Sequence, residues 1–135
     1  RRWPAPYAGS CPAGPSGPSP FAKVRYLRQE PSRGLPTLGV DRWTAYVGAT
    51  HEDHYDLGGC LYALRHGAGY VGMIGAKSRS AERLAVLEAA GATPKELAKL
   101  RLSPGIAGLG KAPWEVAVAI LAEVMRALNP LGDRA

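Results

Sequence analysis

Tyr70-Val71-Gly72-Met73-Ile74-Gly75 is a short apolar run closed by a glycine, and Ala76-Lys77-Ser78-Arg79-Ser80-Ala81-Glu82-Arg83 follows it directly. A run of this length between turn signals reads as a strand buried on both faces. The polar, cationic residues behind it open into an amphipathic helix. In an open α/β sheet, a strand that ends this way delivers its loop to the ligand-binding edge. Upstream, Thr44-Ala45-Tyr46-Val47-Gly48-Ala49 repeats the pattern and ends in Thr50-His51-Glu52-Asp53-His54-Tyr55-Asp56. Two such strand ends about 25 residues apart, with a helical stretch between them, describe a βαβ unit.

The rest of the chain divides at about residue 36. Residues 1–36 hold eight of the twelve prolines, and they carry six Lys/Arg against one acid. Proline removes backbone donors and fixes φ, so this stretch reads as a proline-rich arm or disordered segment that adds little to the core. Its one β-like patch is Ala22–Leu27, which alternates polar and apolar residues. Residues 37–135 are nearly neutral, so the net charge of +6 belongs to the arm. A folded part without a basic stripe argues against a nucleic-acid partner.

Cys11 and Cys60 form neither a disulfide framework nor a CxxC metal motif, and read as reduced thiols. No apolar run approaches the ~20 residues that a membrane span needs. The basic N-terminus has no apolar stretch behind it to make a signal peptide. The expectation is a soluble, cytoplasmic protein with no membrane partner.

Along 37–135 a helix is expected from about Asp56 to His66, closed by Gly67 in the left-handed conformation. Another should be capped by Ser78 or Ser80, present Leu84, Val86 and Leu87, and stop before Gly91. Thr93-Pro94-Lys95-Glu96 is a helix start with capping threonine, proline and glutamate in order, and that helix should end near Leu100. A glycine-rich loop spans Pro104 to Lys111. The longest helix runs from Pro113 to Leu128, with Val116, Ile120, Leu121 and Val124 expected on one side.

Three motifs carry possible chemistry. Gly67-Ala68-Gly69-Tyr70-Val71-Gly72 spells GxGxxG, but its glycines end a helix and enter a strand. A dinucleotide fingerprint runs the other way, from strand into helix, so NAD is not expected to bind. The segment Thr50–Asp56 packs two imidazoles, three carboxylates and the Thr50 hydroxyl into seven residues. That density suits helix capping, contact with a ligand, or a divalent metal held by His51, Asp53 and His54 in a metal-dependent hydrolase. Gly75-Ala76-Lys77-Ser78-Arg79-Ser80 offers helix N-terminal amides, hydroxyls and cations to an anion. Cys60, in a helical pattern, reads as a small packed residue.

These blocks, in this order, resemble the C-terminal Rossmann-like domain of the XdhC/CoxI family, maturation factors of xanthine dehydrogenase and related molybdenum hydroxylases. The resemblance rests on Thr50, His51, Tyr55 and Asp56, then Tyr70, Val71, Gly72, Ile74 and Gly75. It continues through Gly91, Ala92, Pro94 and Pro104 into Pro113, Glu115–Val118 and Ile120–Glu123. It implies an α/β, Rossmann-like fold: a parallel sheet with helices on both faces. The family's first strand and its glycine turn, expected ahead of Thr44, give way here to the proline-rich stretch. The expected domain is therefore partial, its N-terminal half truncated or replaced. Gly58-Gly59-Cys60 shares letters with a motif of the family's other domain but stands in a different block, so that role is not carried over.

Functionally, the resemblance implies a non-enzymatic accessory factor, a chaperone that assists binding or insertion of sulfurated molybdenum cofactor (molybdopterin), which it holds transiently. Xanthine dehydrogenase or a related molybdenum hydroxylase would be its partner, a cysteine desulfurase a second one, and a homodimer its own state. Thr50, His51, Gly75, Lys77, Ser78 and Arg79 are the candidate cofactor-binding residues. No catalytic residue or resident metal is implied. A small nucleotide-binding or oxidoreductase-like Rossmann domain using the same edge is the alternative.

Overall fold

A computed structural model of the chain describes residues 7–12, 17, 21, 23–50 and 52–129. Among them β3 (Ala45–Gly48), β4 (Tyr70–Met73) and β5 (Leu100–Arg101) form a parallel sheet in the order β3-β4-β5. A separate parallel pair joins β1 (Tyr7–Ser10) to β2 (Val24–Leu27). The helices are α1 (Pro31–Gly34), α2 (Asp53–Arg65), α3 (Ser80–Ala89), α4 (Pro94–Leu97) and α5 (Pro113–Leu128).

β4 lies at the centre, and its alternation sorts the molecule into layers. Val71 and Met73, both without exposed surface, join Cys60, Ala63 and Leu64 of α2 and Leu87 of α3 in the main core. Tyr70 points the other way, against Ile120, Val124 and Leu128 of α5. Its hydroxyl donates to Glu123 Oε1 at 2.7 Å, tying strand to helix. Helices therefore cover both faces of a parallel sheet, which makes the chain a Rossmann-like α/β domain. Burying each of these large side chains contributes about 1.5–3 kcal/mol, so β4 anchors the whole domain.

Local signals act as expected at several ends. Gly67 and Gly91 take positive φ (74° and 97°) behind α2 and α3. Thr93 and Glu96 form a reciprocal capping box at α4. Glu115 accepts from the Ala112 amide at 3.1 Å to start α5.

Other expectations are corrected. α2 begins at Asp53 rather than Asp56, and Glu52 occupies its cap position without a side-chain hydrogen bond. Neither Ser78 nor Ser80 caps α3: a 3₁₀ turn over Lys77–Arg79 leads straight into it, with Ser80 already helical. α4 stops at Leu97, and Leu100–Arg101 crosses into the sheet as β5. In α3 the buried residues are Arg83 and Leu87, whereas Val86 is exposed. In α5 Leu121 is exposed, away from Val116, Ile120 and Val124.

The arm is corrected too. Tyr7–Ser10 lies beyond Pro4 and Pro6 and contains no proline, so its amides are available to pair with β2. Pro31, Gly34 and Leu35 are buried, with Leu35 in the main core, so packing does not stop at residue 36. Between the strand pair and β3 lies a cavity of about 710 Å³, lined by Tyr26, Trp43, Tyr46, Val47, Thr50 and Asp56 among others.

Candidate functional site

Parallel pairing ends β3 and β4 side by side. The Ile74 amide donates to Gly48 O at 2.8 Å, one step past the strands, and from there the two loops emerge together. The sheet edge so formed carries both polar segments picked out in the sequence.

The first loop is pinned from behind. Asp56, 1 % exposed, accepts from the Thr50 amide and the Thr50 hydroxyl, both at 3.0 Å. Its backbone carbonyl accepts from Tyr46 Oη at 2.9 Å. Asp56 packs over Gly48, where a Cβ would stand 3.1 Å from its carboxyl carbon. Burial pushes the Asp56 carboxyl above the usual carboxylate range, and the Thr50 hydrogen bonds offset part of that. Thr50 is therefore a loop-ordering residue, its amide and hydroxyl already engaged.

The second loop is joined to the first by an ion-pair triad. Arg83 Nη2 donates to Asp53 Oδ1 at 2.9 Å and to Ile74 O at 3.3 Å. Arg79 pairs with the other oxygen, Asp53 Oδ2. Hydrogen bonding from Arg83, with the charges of both arginines, holds the Asp53 carboxyl below the usual range. Arg83 is 2 % exposed, and among the described residues its Nε has no hydrogen-bond partner. The guanidinium turns its two terminal nitrogens toward Gly75, and a Cβ there would overlap both. Glycine at 75 leaves the room that the buried Arg83 guanidinium occupies, so a larger residue would have to displace it.

Of the candidate residues, Thr50, Gly75, Lys77, Ser78 and Arg79 do converge on this edge, and His51 lies outside the described residues. Lys77 and Ser78 are exposed on the 3₁₀ turn, and Lys77 makes no ion pair among the described residues. Arg79, about half exposed, is shared with Asp53. Asp53 and Arg83 are structural keystones that the anion-site reading did not include. The available signal was the spacing Arg79–Arg83, about one helical turn, together with Asp53 in the polar segment that follows β3.

Among the described residues the arrangement presents the Lys77 ammonium, a hydroxyl and backbone amides to an anion. Among the described residues it does not assemble a metal cage: both Asp53 oxygens face arginines, and exposed His54 lies 3.8 Å from Glu52. No group of three His, Cys, Asp or Glu suited to a metal occurs among the described residues. Cys60 has no exposed surface, and burial pushes its thiol up to about 12, so it offers no thiolate. Among the described residues no helix is long and apolar enough to cross a membrane.

Against known proteins, residues 10–124 match the family model described as the XdhC Rossmann domain. No curated protein matches the chain. A crystal structure described as a xanthine dehydrogenase from Bacillus halodurans superposes with a TM-score of 0.60 at 19 % identity, covering 84 % of this chain and 34 % of that one. At that identity the likeness is one of fold. This chain spans about a third of the length of the matched chain.

Proposed function

The chain belongs to the XdhC family through its Rossmann domain, and from that premise we propose that it serves maturation of xanthine dehydrogenase-type molybdoenzymes by handling their sulfurated molybdenum cofactor. The family is one of accessory and maturation factors rather than catalysts.

One observation carries the reading: the Asp53–Arg83 pair locks the β3 and β4 loops together, so Lys77 and Ser78 stand exposed at one ordered edge. Lys77 suits a phosphate as a point charge, Ser78 adds a hydroxyl, and the turn into α3 adds amides on the positive end of a helix. The phosphate of a pterin cofactor is a ligand of that kind. The cofactor is cargo here, held long enough to be passed on, which fits a shallow, exposed contact better than an enclosed cage. Its sulfur chemistry needs no thiolate from Cys60. The partners in this reading are xanthine dehydrogenase or a related molybdenum hydroxylase, with a cysteine desulfurase as sulfur source.

Titrating the chain with isolated sulfurated cofactor tests the contact. Saturable binding that inorganic phosphate competes away, and that weakens about tenfold or more in a Lys77→Ala/Ser78→Ala variant, is expected. Binding indifferent to both phosphate and the variant would place the cofactor elsewhere.

A further inference from the structure

The cavity of about 710 Å³ between the β1–β2 pair and β3 lies apart from the proposed cofactor contact, since neither Lys77 nor Ser78 lines it. Leu35 and Tyr46 line it from the main core, and Val124 and Leu128 from the α5 side, so it reaches both layers that cover the sheet. Half-buried Tyr26 and Trp43 join buried Tyr46 as aromatic walls. Small-molecule sites have this size, about 300–1,000 Å³, with apolar walls and a few convergent polar groups. We infer that this cavity binds a neutral, planar nitrogen heterocycle, a purine or a pterin, held edge-on by the backbone of β3.

The polar groups that would hold such a ring are those of a strand edge. The Thr44 carbonyl accepts from the Gly69 and Tyr70 amides, and the Gly48 carbonyl accepts from the Ile74 amide. Backbone groups alternate in direction along a strand, so Thr44, Tyr46 and Gly48 turn theirs to β4. Ala45, Val47 and Ala49 turn theirs the other way, and all three line the cavity. Among the described residues no hydrogen bond engages their amides or carbonyls. Across the cavity the Cys11 amide donates to Leu27 O, so by the same alternation Ala8 and Ser10 turn their backbone groups away from β2.

A purine or pterin carries a donor beside an acceptor on one edge. That edge matches the N–H and C=O that one outward residue of β3 presents together. The faces of the ring meet the aromatic and aliphatic walls, where flat π-systems stack. Among the described lining residues the charged ones are Arg25, Asp41 and Asp56, so two acids stand against one cation. That balance favours an uncharged ring over an anion, and a dinucleotide with its pyrophosphate falls outside the class. This inference does not depend on the cofactor reading.

Calorimetric titration of the full chain with adenosine, with neopterin and with ribose is the test. At least one heterocycle should bind saturably and one-to-one, ribose should not bind, and the tighter ring identifies a purine or a pterin as the source. Inorganic phosphate should not compete. Val47→Trp, whose larger side chain fills the cavity beside β3, should weaken binding by about tenfold or more. Hydrogen exchange on the wild type needs no variant: binding should slow the Ala45, Val47 and Ala49 amides and leave the Tyr46 amide, already paired with β4, as it was. Failure of both heterocycles to bind at millimolar concentration overturns the inference. So does binding that phosphate displaces, that ribose matches, that leaves the three edge amides exchanging as fast as before, or that persists undiminished in a folded Val47→Trp chain.

Discussion

Arg83 and Asp53 meet at 2.9 Å, thirty residues apart in sequence, and their pairing sets the first turn of α3 against the first residue of α2. Because α2 follows β3 and α3 follows β4, this one contact fixes how the two strand-end loops stand to each other.

The pair should be worth more than its neighbour. Asp53→Asn strips the counter-charge from a guanidinium that is 2 % exposed, and the expected cost is about 2–3 kcal/mol. Arg79→Ala removes a half-exposed partner of the same carboxylate and should cost about 0.5 kcal/mol or less. Urea unfolding of the two variants measures the difference. Equal effects would mean that Arg83 does not depend on Asp53.

Gly75→Ala should destabilise the domain by about 1–3 kcal/mol, because the new methyl displaces a packed guanidinium. The same unfolding assay reads it, and the loss should shrink in an Arg83→Met background, where the obstructing group is gone. A fully additive double variant would separate the two residues.

The two aspartates should respond to acid with opposite sign. Asp53 titrates below the ordinary carboxylate value of 3.8, so its contribution is present above that pH and is lost as pH falls through its folded value. Asp56 titrates above 3.8, so the folded state holds its proton more tightly, and stability declines as pH rises from 3.8 through the raised value. Asp56→Asn should therefore flatten the decline that sets in above pH 3.8, and Asp53→Asn the rise below it. Unfolding midpoints across that range give both slopes; a decline unchanged in Asp56→Asn would exclude the buried carboxyl as its cause.

NAD and NADP should not bind tightly. Gly67 closes α2 with φ of 74° and Gly72 sits inside β4, so the GxGxxG spelling runs from helix into strand and presents no helix N-terminus to a pyrophosphate. Calorimetric titration checks this, and tight one-to-one binding of either nucleotide would contradict it.

β4 was legible in the sequence because a strand buried on both faces must be apolar at every position, and the Gly67 stop ahead of it is a backbone requirement. β5 was not, since two residues behind a helical Leu97 carry no periodicity of their own. Arg83 was hidden for another reason: an arginine on a helix is ordinarily solvated, and only the folded chain shows Asp53 and Gly75 making room for it. The proline count of the first 36 residues concealed Tyr7–Ser10, a proline-free stretch that pairs with β2. In α5 the residues were read correctly as apolar, but Leu121 follows buried Ile120 by one residue, about 100° round the helix, and so stands exposed.

The most direct test of the account is activation of a xanthine dehydrogenase prepared without its molybdenum cofactor, supplied with sulfurated cofactor in the presence and absence of this chain. The account predicts faster recovery of activity with the wild-type chain and a clear loss of that gain with Lys77→Ala/Ser78→Ala, which remains folded. Recovery no faster than with cofactor alone, from a chain shown to be folded, would contradict it.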